Sequence, residues 1–89
     1  MLERKITIKN KLGIHARAAV KFVNIANRFR SSVRIEKDGN VIDGKSILGI
    51  LTLAAVQGSV ITLKVMGRDE DRALKALVEL IDNKFHEKE

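Results

Sequence analysis

Residues 10–19 read Asn10-Lys11-Leu12-Gly13-Ile14-His15-Ala16-Arg17-Ala18-Ala19, and within them a strand and loop give way to a helix. Upstream, Ile6 and Ile8 alternate with polar residues, as in a half-buried strand. Downstream, apolar residues recur at helical spacing, as Ala19, Phe22, Val23, Ala26 and Phe29. The change of period predicts a helix from Ala16, with His15 at or next to its N-cap and Gly13 free to take a positive φ.

The start of this helix has the chemistry of an anion site. First-turn amides lack intrahelical acceptors, and together with the helix dipole they attract phosphate or carboxylate groups. Here these amides belong to Ala16, Arg17 and Ala18, and the Arg17 guanidinium suits phosphate oxygens. The positive helix end disfavours imidazolium, so His15 should keep a lone pair for attack on phosphorus. A capping histidine without chemistry is the alternative.

Two motifs together resemble a known family. Gly13-Ile14-His15-Ala16-Arg17, followed about thirty residues later by Gly44-Lys45-Ser46-Ile47-Leu48-Gly49, is similar to the histidine-containing phosphocarrier protein (HPr) family of the bacterial phosphotransferase system. The resemblance covers essentially the whole chain. It implies that His15 accepts a phosphoryl group on Nδ1 from phosphoenolpyruvate-dependent enzyme I and passes it to enzyme II components, with Arg17 stabilising the phosphate.

Such a protein is a covalent carrier rather than a self-contained enzyme, and no cofactor is expected. The residue after Arg17 is more often proline in the family, and Ala18 resembles a branch that includes nitrogen-related members. Sugar uptake and a regulatory branch therefore both stay open as the downstream pathway.

Length and composition limit the possible classes of protein. The 89 residues suffice for one modest core, and with no cysteine there is neither a disulfide framework nor a thiolate metal site. His15 and His86 alone do not make a convincing zinc site. Residues 1–9 intersperse charges among apolar residues, unlike a signal peptide or membrane span. We expect one domain over residues 1–89, monomeric, cytoplasmic, without metal and without membrane insertion.

The charge favours an acidic partner or a polyanion. Lys and Arg outnumber Asp and Glu by 17 to 11, which gives a net charge of +6. Nucleic acid is the obvious rival partner, yet the chain has no Trp or Tyr, and its three Phe lie at predicted helix core positions. We therefore expect no nucleic-acid binding, and interpret the charge as steering towards a protein partner or as an ordinary solvated surface.

The element order predicted from periodicity and turn signals is β-α-β-β-α-β-α. Strands are predicted at residues 4–9, 33–36, 41–42 and 60–66, and helices at residues 16–28, from Ser46, and after Asp69 as N-cap. The last helix should bury the stripe Leu74, Leu77, Val78, Ile81 and Phe85, with Lys84 and His86 in its final turns. The pattern also permits a ferredoxin-like fold. The HPr resemblance favours an α/β two-layer open-faced sandwich, a four-stranded antiparallel sheet covered on one face by three helices.

The short helix after Ser46 is almost wholly apolar. If Ile50, Leu53 and Ala54 pack inward, then Ile47, Leu48 and Leu51 form an exposed apolar surface, called the docking patch below. Its expected rim is basic, formed by Lys45, Arg17 and Lys21. Such a surface is typical of a docking site for an acidic protein, and burial under a loop or in a homodimer is the alternative. A regulatory module that docks through this patch without using His15 is the alternative function.

Ser46 is predicted to cap the short helix with its hydroxyl. By resemblance, the matching serine is phosphorylated for regulation by a dedicated kinase in some bacteria, so a serine kinase or phosphorylase is a possible partner. A phosphate here would place two negative charges beside the docking patch and against acidic partners. A simple N-cap is the alternative.

Overall fold

The computed structural model describes residues 1–87. The elements in this part of the chain are β1 (Leu2–Thr7), α1 (Ala16–Ala26), β2 (Ser32–Lys37), β3 (Asn40–Asp43), α2 (Ile47–Thr52), β4 (Val60–Met66) and α3 (Glu70–Asp82), and a 3₁₀ turn at Lys84–His86 follows. The predicted order β-α-β-β-α-β-α is confirmed. Over these residues no helix is both long enough and apolar enough to cross a membrane.

The four strands form one antiparallel sheet in the order β1-β4-β2-β3. In β4, Ile61, Leu63 and Val65 are fully buried under the helices, as their alternation predicts. The opposite face is exposed and mixes charged side chains with apolar ones, and there Lys64 Nζ lies 2.6 Å from Glu36 Oε1. With one face covered and one exposed, the sheet and helices form the predicted open-faced sandwich.

The core lies between the sheet and helices α1 and α3. Its largest fully buried apolar side chains come from every layer, and they are Phe22, Phe85, Ile8, Ile35, Ile50, Ile61, Leu63, Leu77, Ile81, Val33 and Val65. Truncating a buried phenylalanine to alanine typically destabilises a protein by about 3 to 5 kcal/mol. Replacing Phe22 in the middle of α1 would therefore remove a large part of the stability of so small a domain.

Two predicted elements, β1 and α1, have boundaries that are wrong by about two residues. Strand β1 spans Leu2–Thr7 rather than residues 4–9, because the chain leaves the β1–β4 ladder at Ile8. Ile8 stays buried through backbone bonds in which its N–H donates to Ser59 O at 2.9 Å and its O accepts from Gly58 N at 2.8 Å. Helix α1 ends at Ala26, where i to i−3 bonds from Arg28 and Phe29 tighten the final turn.

The end of α3 also differs from its prediction. The helix stops at Asp82, and Lys84, Phe85 and His86 take left-handed φ values of 56°, 55° and 60°. Phe85 is fully buried as predicted, but a tight turn carries it into the core rather than a continued helix. Within α3, Leu77, Val78 and Ile81 are buried and Leu74 is half-buried. Ala73 and Leu80 complete the buried face.

Asp69 occupies the N-cap position of α3 but makes no capping hydrogen bond, so that part of the prediction is wrong. Its carboxylate instead accepts from Arg30 N at 2.9 Å, from Ser31 N at 3.0 Å and from the Ser31 hydroxyl. The Ser31 hydroxyl and the Arg30 amide lower the pKa of Asp69 to about 2. Asp69 thus fastens the loop after α1 to the start of α3, because two loop amides point at it.

Candidate functional site

A tight loop before α1 positions His15. Gly13 has a φ of 68°, and a Cβ at this position would lie 2.4 Å from the backbone O of Ala55. The neighbouring Ile14 N–H donates to the same Ala55 O at 2.8 Å. Only glycine allows the two backbone segments to approach this closely, so Gly13 has the predicted positive φ and fixes where α1 begins.

His15 is the N-cap of α1, as predicted. Its backbone is extended, with φ −87° and ψ −178°, and its O accepts from Ala19 N at 2.9 Å. The ring nitrogen Nδ1 accepts from Arg17 N–H at 3.3 Å, so Nδ1 faces the first turn of the helix. The side chain is 27% exposed. An unprotonated Nδ1 therefore lies at the positive end of α1 within reach of solvent.

A residue that the sequence reasoning missed holds the other ring nitrogen. Nε2 of His15 contacts the carboxylate Oε2 of Glu87, from 72 positions along the chain. Burial acts to raise the pKa of Glu87, but hydrogen bonds from His15 and Asn10 and the charges of His15 and Lys21 outweigh it and hold this pKa below its usual range. No sequence signal indicated Glu87, because only the turn at Lys84–His86 brings it to the helix start.

The predicted anion cradle lies next to His15. Arg17 is exposed, and its guanidinium has no hydrogen bond or ion pair with another residue among residues 1–87. Ala16 is also exposed, whereas the Ala18 methyl is fully buried and directs that residue against the core. The first turn of α1 thus carries backbone amides and an exposed guanidinium, which are donors suited to a tetrahedral anion, and it adjoins the accepting nitrogen Nδ1 of His15.

Helix α2 begins as predicted. Ser46 is its N-cap, and the hydroxyl accepts from Gly49 N at 3.0 Å. Ile50 and Leu53 are buried as expected. Ala54 is exposed with a φ of 50°, so the expectation that it packs inward is wrong; the chain turns there and buries Ala55 instead.

The docking patch is exposed to different degrees. Leu48 is 76% exposed and Ile47 37%, while Leu51 packs partly against the core. Two further apolar side chains that the sequence reasoning did not single out are also exposed: Leu12, which precedes Gly13, and Val56, whose backbone lies against Gly13. Exposed apolar side chains thus occur in the loops next to Gly13 as well as on α2.

The two lysines of the expected rim, Lys21 and Lys45, both donate hydrogen bonds to backbone carbonyls of the domain. Lys21 Nζ donates to Phe85 O at 2.6 Å, and Lys45 Nζ donates to Phe29 O at 2.9 Å. Both side chains are half-buried rather than freely solvated. These bonds hold two ammonium groups in fixed places instead of leaving them mobile.

Comparison with known proteins matches this arrangement to a family. The family described as the PTS HPr component phosphorylation site matches residues 2–83. The chain belongs to the HPr family. The HPr of Pseudomonas aeruginosa is 51% identical over 86 residues, or 96% of each chain. The family predicted from the two sequence motifs is thereby confirmed.

Solved HPr structures share the fold. The crystal structure of HPr-C-His from Thermoanaerobacter tengcongensis matches with a TM-score of 0.96 and 48% identity, over all of both chains. A crystal structure of an HPr dimer from the same organism matches with a TM-score of 0.79 and 49% identity, over 98% of this chain and all of that one. The open-faced sandwich is thus the HPr fold, and a phosphocarrier role in the phosphotransferase system is the role of this family.

Proposed function

We propose that this chain is a cytoplasmic HPr, one domain over residues 1–89, that takes a phosphoryl group onto His15 from enzyme I and passes it to enzyme II components. One observation carries the proposal. Nδ1 of His15 accepts the Arg17 amide N–H, while Nε2 is occupied by Glu87. Once the Arg17 amide releases it, the Nδ1 lone pair is the one the ring offers to a phosphoryl donor, on the side of the helix start, whereas Nε2 stays covered by Glu87.

The same geometry accounts for holding the group once it is transferred. The first-turn amides of Ala16, Arg17 and Ala18 and the Arg17 guanidinium would stabilise the phosphoryl oxygens. The Glu87 carboxylate is directed at Nε2, on the other side of the ring, and so is not placed to activate a water against phosphorus. The phosphohistidine should therefore persist until a partner protein accepts the group.

Partner binding is assigned to the docking patch of Ile47, Leu48 and Leu51. Its exposed leucine and the fixed ammonium groups of Lys21 and Lys45 suit an acidic protein surface. Ser46 would be the regulatory site, where phosphorylation by a serine kinase places charge at the edge of the patch. We propose that the chain works as a monomer. Because a relative has been solved as a dimer, the molecular mass in solution should be measured, and the mass of a dimer would contradict this proposal.

The second candidate is a regulatory module that docks through the same patch without transferring a phosphoryl group, and the exposed Leu48 favours it equally. Incubation with enzyme I and phosphoenolpyruvate separates the two. A His15 adduct that is labile in acid and stable in alkali is expected for the carrier. Binding to enzyme I without an adduct would favour the module, and salt-sensitive binding to DNA or RNA would favour the nucleic-acid rival.

Replacing His15 with alanine should abolish phosphoryl uptake, because the variant lacks the proposed nucleophile. The fold should survive, and an unchanged circular dichroism spectrum checks it. His86→Asn is the matched control, since asparagine tolerates the positive φ of that position and the variant should still be fully phosphorylated. Uptake by His15→Ala with the same acid lability would remove His15 from the mechanism.

A further inference from the structure

The residues after α3, Lys84 to Glu87, turn back towards His15. Left-handed backbone is unfavourable for residues other than glycine, yet Lys84, Phe85 and His86 all adopt it. The turn is held by Phe85, which is fully buried and whose carbonyl accepts from Lys21 Nζ at 2.6 Å. As a result, the side chain of Glu87 is only 13% exposed and lies against His15 instead of in solvent.

Asn10 holds the other carboxylate oxygen from the loop side. It is fully buried, and its Nδ2 donates to Gly13 O at 2.7 Å and to Glu87 Oε1 at 2.8 Å. Both partners are acceptors, so the orientation of the amide is fixed. Its Oδ1 has no hydrogen-bond partner in the described chain. A buried unsatisfied acceptor is unfavourable, so packing alone does not explain an asparagine here.

We propose that Asn10 and Glu87 are positioning residues for phosphoryl transfer, which act by fixing the tautomer of His15. Asn10 orients the carboxylate, and the carboxylate accepts the Nε2–H, so the lone pair stays on Nδ1 beside Arg17. A carboxylate on one ring nitrogen is a general means of setting which nitrogen of a histidine reacts. The proposal rests on the proposed function and adds to it the residues that select the reacting atom.

The transfer step then balances as follows. The lone pair of Nδ1 gives up its hydrogen bond from the Arg17 amide and forms the bond to phosphorus, and the bond from phosphorus to the donor breaks with its electron pair remaining on the donor. The ring carries a positive charge after attack, with its proton still on Nε2. Glu87 offsets that charge from the side of the ring opposite the phosphoryl group, or accepts the proton, and returns it when the group leaves.

The tautomer can be measured without any partner protein. In ¹⁵N spectra of the His15 ring, recorded at alkaline pH where the imidazole is neutral, Nε2 should resonate as protonated and Nδ1 as unprotonated. In Glu87→Gln the two resonances should move towards each other as the tautomers mix. Glu79→Gln, the same change at an exposed position of α3, should leave them unmoved. Asn10→Ala should cause the same mixing, with no additional effect in the Glu87→Gln background.

The transfer rate tests the consequence. At saturating enzyme I, Glu87→Gln should transfer about tenfold more slowly with an unchanged KM for enzyme I, while Glu79→Gln matches the parent. Phosphorylation by phosphoramidate, a small donor that needs no docking, should slow in the same variant. Unmoved ring resonances in Glu87→Gln, or mixed tautomers with unchanged rates, would overturn the proposal. A parent protein that enzyme I does not phosphorylate would overturn the proposed function, and the ring spectra would still test the tautomer.

Discussion

Helices α1 and α2 are both capped by a side chain at their N-terminus, but the two capping side chains differ in how far along the chain their contacts extend. At Ser46 the hydroxyl accepts from an amide three positions away, and at His15 the ring nitrogen accepts from an amide two positions away. The remaining ring nitrogen of His15 is held by Glu87, 72 positions away, and its loop packs against Ala55. Ser46 is thus a local cap, whereas His15 is a cap oriented by the tertiary fold.

The difference shows how the proposed chemistry at His15 and the proposed recognition at α2 make different demands on the fold. A group that reacts needs an orientation that local structure alone does not fix, and Glu87 contacts His15 from 72 positions along the chain. A surface for transient docking needs only an exposed apolar side chain on a firmly capped helix, and the proposed docking patch has one in Leu48 on α2. Substitutions at α2 should therefore change partner affinity, and substitutions around His15 should change transfer.

Leu48→Asp should have the largest effect on the α2 side of this comparison. Burying a charge in the patch, or leaving the patch wet, should weaken association with enzyme I by about 1 to 3 kcal/mol. The loss should appear in the dissociation constant measured by calorimetry, with little change in the transfer rate at saturation. Met66→Asp is the control, because Met66 is 57% exposed on the open face of the sheet, away from the helices. Equal affinities for the parent and Leu48→Asp would place docking elsewhere.

Two substitutions at Ser46 should separate capping from docking. Ser46→Ala removes the acceptor for the Gly49 amide and should lower the free energy of unfolding by about 1 kcal/mol without weakening enzyme I binding. Ser46→Asp keeps a capping acceptor and should preserve stability, while its charge beside the docking patch weakens binding. Denaturant unfolding and binding assays measure the two effects. Two variants with the same stability and the same affinity would contradict the division of roles.

Ala18→Pro tests whether the third first-turn amide belongs to the phosphate cradle. His15 is the cap, so Ala18 is the third helical residue, and proline there removes no intrahelical hydrogen bond. If that amide contacts the phosphoryl group, the variant should hold it less tightly by about 0.5 to 1.5 kcal/mol. The equilibrium constant of exchange with enzyme I, at fixed phosphoenolpyruvate and pyruvate, measures this. An unchanged constant with matching unfolding midpoints would exclude the Ala18 amide from the cradle.

Asp69→Asn extends the comparison to the start of α3. It should have the smallest effect, because it should change only the stability and its pH dependence. The pKa of Asp69 falls from 3.8 to about 2 on folding, so its carboxylate stabilises the folded state above pH 4 and this contribution is lost as the pH falls towards 2. The asparagine variant should be less stable at neutral pH, and its unfolding free energy should fall less steeply between pH 4 and pH 2. A parallel pH dependence in the two proteins would show that the bonds to Arg30 and Ser31 do not form in solution.

Local signals explain what the sequence predicted well. The alternation of Ile61, Leu63 and Val65, the positive φ of Gly13 and the capping hydroxyl of Ser46 all depend on neighbours within a few positions. The helix start at Ala16 was predicted for the same reason. For such features, the residue type and its spacing contain the physical cause.

The features that were missed depend on distant contacts. Asp69 has the residue type of an N-cap, but the Arg30 and Ser31 amides compete for its carboxylate. Phe85 fits a helical stripe, yet it enters the core through a left-handed turn. No glycine lies in that turn, so nothing in the sequence indicated it. The contact between Glu87 and His15 depends on that turn, so it was missed as well. The surroundings of Nδ1 were thus predictable from residues 13–18, because they belong to the helix start. The contact of Nε2 with Glu87 was not predictable, because it depends on the distant turn.

The strand order leaves β1 and β3 at the two edges of the sheet, and unpaired edges invite polymerisation. On β1 the successive residues Glu3, Arg4 and Lys5 are exposed and charged, while β3 is only four residues long. Charged or very short edges resist the addition of a further strand, and so oppose aggregation at high protein concentration. We therefore expect the edges of the sheet to add no further strand, which leaves the helical layer as the surface for encounters with other proteins.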